Sequence, residues 1–256
     1  MNPEVYQRHY DFEEDYWWFR GRRKIIFDQI ALLPLHSEKS LILDAGCGTG
    51  LTTKLLSAYG KTFGIELSKE GLLFCKSRNL KNLIRGNIQN SPFASNQFDL
   101  ITMLDLLEHL DEDVEVLKEM HRICKDGGYL LLFVPAYAFL WSGEDVVSQH
   151  RRRYTAKELL SKIQKSGFLV KKLSYVNTFL FPVIFSIITF NKFFRPKTLS
   201  KSNLEPLPIF INNLLTQIFK SESFFLRKMN FPFGTSLLCL AVKTRPRPCF
   251  KEESDV

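Results

Sequence analysis

The chain has 256 residues, 45% of them hydrophobic and 24% charged, an ordinary globular make-up that excludes collagen, coiled coil and wholesale disorder. The length is ample for one large α/β domain, or for one domain carrying an insertion. Lys and Arg outnumber Asp and Glu by 35 to 27; the net charge of +8 favours anionic partners such as nucleic acid, phosphorylated metabolites or a membrane's inner face, and equally suits a plain soluble enzyme.

Residues 4–33 read as a helical lead rich in aromatic side chains. Tyr16, Trp17, Trp18 and Phe19 precede Arg20, Arg22, Arg23 and Lys24; Ile26, Ile30 and Leu33 then form an apolar stripe at helical spacing, which Pro34 ends. The first thirty residues lack the n-region and apolar h-region of a secretory signal, so a cytoplasmic protein is expected. From Ser40 onward strands and helices alternate. Strands are predicted at Leu41–Ala45, Thr62–Leu67, Leu83–Arg85, Phe98–Met103 and Tyr129–Val134, with helices at Thr52–Tyr59, Lys69–Arg78 and Asp111–Ile123. Such repeats predict a mostly parallel sheet with helices on both faces. After the basic run His150–Arg153, a helix (Ala156–Ser166) and a strand (Phe168–Val176) follow, with Thr155 and Glu158 spaced as a capping box. A Phe- and Ile-rich segment (178–194), a polar linker (195–208), a helix around Ile209–Phe219 and a last strand (Ser236–Lys243) precede a tail expected to be disordered. The predicted organisation is a helical cap (1–37), a core (38–177), an insertion (178–235), a final core strand (236–243) and the tail (244–256). Five scattered cysteines without a CxxC pair read as reduced thiols.

The most informative motif is Leu43-Asp44-Ala45-Gly46-Cys47-Gly48-Thr49-Gly50, placed between a strand and a helix. Its glycines let the backbone approach a ligand closely, and the helix behind it presents unpaired N–H groups. The third glycine falls at Gly50 rather than one residue later, so the dinucleotide fingerprint is not met. An acid two positions before the first glycine would repel a pyrophosphate and suits a ligand of cationic character.

This stretch closely resembles motif I of the class I S-adenosylmethionine-dependent methyltransferases, a Rossmann-like fold with a seven-stranded sheet, and the strand order agrees through Val176. The resemblance implies S-adenosylmethionine as cofactor. It places Asp44, Gly46, Cys47 and Gly48 on the cofactor, Glu66 and Leu67 at the ribose, Asn87 and Ile88 at the adenine, and Leu104 beside the methionine end. Asn87 stands where the family usually has an acid. A carry-over from the ubiquinone-biosynthesis O-methyltransferases assigns Arg23, or its neighbour Arg22, to the methionine carboxylate.

No Asn/Asp-Pro-Pro-aromatic tetrapeptide of the nitrogen methyltransferases follows the fourth strand, so oxygen methylation is favoured by elimination. Asp105, Glu108 and His109 have i, i+3, i+4 spacing and would share one face of a helical turn, where they could bind Mg²⁺ or another divalent cation with His150 as fourth ligand. This pattern is similar to the ubiquinone and small-RNA O-methyltransferases. Without metal, His109 or His150 is the candidate general base. The basic run is either an anion-binding surface or a solvated one. Trp17–Phe19, the His150–Thr155 run and residues 232–237 resemble a bacterial type-11 methyltransferase group found with cell-surface glycan pathways. The resemblance implies a sugar, glycosylated lipid, natural-product or phenol acceptor. The alternatives are an RNA 2′-O-methyltransferase, which the absence of an RNA-binding module disfavours, and a catalytically silent cofactor-binding partner protein. The insertion is too short and interrupted to span a membrane. It reads as a cap or lid, a contact with an anionic membrane surface that would make the protein peripheral, or a homodimer face.

Overall fold

The computed structural model describes residues 3–194, 202 and 204–244. Most of the 195–208 linker and the tail beyond Thr244 lie outside the described residues, including the expected disorder of the tail.

Short β-rich apolar runs flanked by turn residues pair into one seven-stranded sheet. Its strands are β1 (Leu41–Ala45), β2 (Lys61–Glu66), β3 (Leu83–Arg85), β4 (Phe98–Leu104), β5 (Cys124–Pro135), β6 (Phe168–Val176) and β7 (Ser236–Lys243), in the spatial order β3-β2-β1-β4-β5-β7-β6. The first five run parallel; β7 is antiparallel to both β5 and β6. Ile42, Leu43, Leu100, Ile101 and the run from Leu130 to Val134 are wholly buried, as strands covered on both faces require. Each such side chain contributes roughly 1.5–3 kcal/mol through burial. β1 pairs with β2 on one side and β4 on the other, so successive connections leave in opposite directions there. That divergence opens a crevice at the strands' carboxyl ends.

The lead segment is two helices rather than one, α1 (Pro3–Phe12) and α2 (Trp17–Ile30). The break follows from tertiary contacts: Arg78 pairs with Glu13 and Glu14 across the gap, and Arg23 donates to the carbonyls of both. Between β1 and β6 lie α3 (Leu51–Leu56), α4 (Lys69–Ser77), α5 (Asp113–Ile123), the short α6 (Gly143–Val147) and α7 (Ala156–Lys165). α1 lies on α4, where Tyr10 stacks on Phe74 at 4.7 Å. The Thr155–Glu158 capping box opens α7. The Asp126–Gly128 turn signal becomes an irregularity inside β5, which starts at Cys124. Between β6 and β7 stand α8 (Phe181–Phe194) and α9 (Ile209–Leu226). α9 packs along α2, with Trp17 and Phe219 in edge contact at 6.1 Å. Cys47, Cys75, Cys124 and Cys239 are buried thiols without disulfides.

Candidate active site

At the carboxyl ends of β1 and β4 lies a cavity of about 650 Å³, within the usual size of ligand sites. Asp44, Gly46, Cys47 and Gly48 form one wall, α2 another, and Leu104 and Asp105 the edge beyond β4. The amides of Gly46 and Cys47 are tied to the carbonyl of Ile65, which bends the chain after β1 across the strand ends. Gly46 has φ +70°, and a Cβ there would lie 2.7 Å from a methyl carbon of Leu106. Gly48 has φ +53°, yet a Cβ would meet nothing within 4 Å. One glycine is needed for close packing, the other for its left-handed turn beside open space.

Asp44 is buried and accepts from the hydroxyls of Thr53 (2.6 Å) and Thr102 (2.8 Å). Burial raises its carboxyl above the ordinary range against those two hydrogen bonds. Glu66 holds the turn in shape, accepting from the Gly48 amide at 3.0 Å and the Ser68 amide at 2.9 Å. It also accepts from the Tyr6 hydroxyl of α1 at 3.2 Å. Glu66, Leu67, Asn87 and Ile88 lie outside the cavity walls: the Tyr6 hydroxyl of α1 engages Glu66, while Leu67 and Asn87 are exposed to solvent. The Asn87 side chain accepts from the Gln89 amide at 2.9 Å.

Two arginines reach the cavity from α2. Arg23 is committed elsewhere: its terminal nitrogens donate to the Glu13 and Glu14 carbonyls at 2.6 and 2.9 Å. Arg22 pairs with Asp105 at 2.8 Å, lies over Trp18, and has a buried Nε with no partner.

The lining also carries a dyad. His150 Nδ1 is 2.9 Å from Asp145 Oδ1, and Arg153 binds both oxygens of the same carboxylate at 2.8 Å. Burial alone would raise the Asp145 carboxyl; the hydrogen bonds from His150 and Arg153 outweigh it and hold it well below the usual carboxylate range. His150 and Asp145 both line the cavity.

The expected helical turn of Asp105, Glu108 and His109 does not form. Asp105 sits alone at φ +56°, and only Leu107–His109 make a short 3₁₀ turn. Asp105 instead pairs with Arg22 and is not part of the cluster that the other two form. Glu108, His109 and His150 do meet, with ligand atoms within 4.8 Å of one another. Both Glu108 oxygens are buried without a hydrogen-bond partner. Burial first, then the Asp105 charge, pushes its carboxyl far above the usual range. Burial lowers His109 to about 3.

In the basic run Arg151 pairs with Asp111 at the exposed surface, Arg152 with Asp113, and Arg153 with the buried Asp145 beside the cavity. Sequence reasoning missed Asp145, His9 and Asn177, all cavity residues. Asp145 five residues before His150 carries no spacing signal, since α6 alone brings them together. His9 arrives on α1, and burial lowers it to about 4. Asn177 follows β6 at φ +59° with a buried, unpartnered Oδ1.

Residues 43–132 match a family model described as a methyltransferase domain. That span contains the glycine turn, Glu66, β4 and the Glu108–His109 turn. Through that span the chain is similar to the S-adenosylmethionine-dependent methyltransferases. A protein of Mycolicibacterium smegmatis named "Probable S-adenosylmethionine-dependent methyltransferase" is 25% identical over 162 residues, 62% of each chain. The demethylmenaquinone methyltransferase of Geobacillus stearothermophilus is 35% identical over 130 residues, 47% of this chain and 55% of that one. The chain thus spans less than two thirds of the length of these relatives. Its fold is similar to that of a chain from the complex of the Haloferax volcanii Trm112 methyltransferase activator with a methyltransferase. There the TM-score is 0.63 at 15% identity, over 95% of this chain and 96% of the other.

Proposed function

We propose that the protein transfers a methyl group from S-adenosylmethionine to an oxygen of a small hydroxylated acceptor, a sugar, a glycosylated lipid or natural product, or a phenol. The observation that carries this reading is the Asp145–His150 dyad lining the same cavity as the Gly46–Gly48 turn. The cofactor supplies an electrophilic methyl group on a sulfonium. Asp44 supplies negative charge at the end of β1, and the unpartnered Nε of Arg22 suits the cofactor carboxylate better than the committed Arg23. Glu66, with Leu67, Asn87 and Ile88 on the same edge, is the proposed ribose and adenine side.

Asp145 fixes Nδ1 of His150 as the donor, which leaves Nε2 to take the acceptor's hydroxyl proton as the oxygen attacks the methyl carbon. The sulfonium leaves as a neutral thioether. Holding oxygen, carbon and sulfur in line supplies most of the acceleration. Incubation with cell-extract fractions and labelled methyl donor tests the reading. His150→Ala is expected to lose about 10²–10⁴-fold in transfer while cofactor binding by calorimetry is retained; unchanged transfer defeats the assignment. NMR of the product distinguishes oxygen from carbon methylation, a point raised by the demethylmenaquinone relative. Cofactor binding without turnover in any fraction would favour a silent partner protein.

A second reading, metal assistance, is favoured by the orphaned Glu108 carboxylate. Glu108, His109 and His150 would hold the ion, which would lower the pKa of a bound acceptor hydroxyl. Two imidazoles and one carboxylate suit a transition metal better than Mg²⁺, and Asp105 is no part of the set. The RNA reading is weaker: Trp18 packs on Phe133 and Trp17 on Phe219, so the lead offers no base-stacking platform. A cytoplasmic location belongs to the same proposal; no helix among the described residues is long and apolar enough to cross a membrane.

A further inference from the structure

α8 is apolar almost throughout, yet none of its side chains is fully buried. One stripe, Ile184, Ile188 and Asn191, lines the cavity, with Ile187 at its border. The other side turns outward: Val183, Phe190, Phe193 and Phe194 are 50–77% exposed. α9 buries Thr216, Phe219, Glu222, Ser223 and Leu226, and leaves Phe210 79% and Phe224 71% exposed. Ring contacts join part of this surface. Phe139 meets Phe185 at 5.9 Å, Phe185 meets Phe181 at 5.9 Å, and Phe181 meets Phe233 at 5.4 Å. Two residues before Phe181, Phe179 contacts Phe225 at 5.8 Å, and Phe225 contacts Phe224 at 5.4 Å. A monomer in water rarely leaves such a surface uncovered.

Charge selects what covers it. Between Thr178 and Thr235 the sequence has seven Lys or Arg (192, 195, 197, 201, 220, 227 and 228) against two Glu. That excess of five makes up most of the chain's net +8. Of the two acids, Glu222 is fully buried, accepting from the Asn177 and Phe179 amides. α8 has no carboxylate at all. A two-fold dimer through this face would bring the described cations Lys192, Lys220, Arg227 and Lys228 near their own copies, which like charges oppose. A helix of 14 residues is too short to span a bilayer but can lie in its interface.

We infer that the outer faces of α8 and α9 dock on an anionic lipid bilayer, setting the cavity's α8 side at the headgroups. The docking stands apart from the proposed transfer and is read without turnover. The test is sedimentation of the full chain with vesicles of phosphatidylcholine containing about 30 mol% phosphatidylglycerol. Pelleting is expected, falling severalfold as NaCl is raised to about 0.5 M and on purely phosphatidylcholine vesicles. The triple variant Phe194→Ser/Phe210→Ser/Phe224→Ser is expected to lose about tenfold or more in bound fraction. Calorimetry with S-adenosylmethionine reports separately whether each protein binds cofactor, so loss of that binding with pelleting intact indicts only the methyltransferase assignment. If the variant fails to fold, the salt and lipid series on the unaltered chain still decides. Absence of pelleting, equal pelleting on neutral vesicles, or a dimer that forms through this face in place of vesicle binding overturns the inference.

Discussion

At the scale of single residues, strained backbone and orphaned polar atoms collect around the cavity. Asp105, Tyr137 and Asn177 follow β4, β5 and β6, and each has φ near +57°. A non-glycine residue held there costs about 1–3 kcal/mol, which the surrounding fold must offset. Asp105 and Asn177 line the cavity, so the strain sits where side chains are aimed. Two predictions belong here. Gly46→Ala would combine the left-handed φ with a Cβ 2.7 Å from Leu106. A loss of about 1–3 kcal/mol is expected, seen as a lower midpoint in denaturant unfolding, together with weaker cofactor binding by calorimetry. Asp145→Asn keeps the shape of the dyad but removes the charge that orients His150 and pairs with Arg153. Methyl transfer is expected to fall by at least about tenfold with cofactor affinity unchanged; an unaltered rate would show that His150 needs no orienting carboxylate.

At the scale of elements, legibility followed local physics. β1, β3 and β7 stand where apolar runs and turn residues put them, since the local pattern marks them without any distant partner. The lead helix broke where Glu13 and Glu14 meet Arg78, sixty-odd residues away, and no local pattern announces such a pair. The glycine turn was legible because its chemistry is contiguous; the dyad was not, because α6 creates it. α1 occupies the flank of Glu66 through Tyr6. If Glu66 receives the ribose hydroxyls, Tyr6 competes with them, so Tyr6→Phe is expected to tighten cofactor binding by about threefold to tenfold in calorimetry. A weaker or unchanged Kd would mean that α1 supports the bound state.

Glu222 clamps α9 to the start of the α8 segment, accepting at 2.7 Å from Asn177 and 2.8 Å from Phe179. Burial raises its carboxyl to about 7 despite those amides. Because the folded value lies above the unfolded one, its contribution is complete below the ordinary carboxylate range. The contribution is then lost as pH rises toward 7, by about 3 kcal/mol at most. Unfolding midpoints measured across this window should fall with pH in the native chain. Glu222→Gln, one amide bond poorer and less stable in acid, should lack that part of the slope. Parallel curves for the two proteins would show that Glu222 is not titrating there.

At the scale of the whole molecule, the cavity is assembled from distant parts of the chain: the lead helices, the glycine turn, α6, α8 and the Thr235–Ser236 turn before β7. The insertion is therefore part of the site and not an appendage, which a linear reading could only leave open. α8 has one flank on the chamber and the other outside, like a party wall. If the protein is seated on a sheet of lipid by such a wall and its acceptor is itself lipid-borne, it would sample that acceptor in two dimensions. Its rate would then follow the acceptor's mole fraction in that sheet rather than its concentration in solution, and diluting the acceptor with inert lipid would slow it even when total amounts are constant.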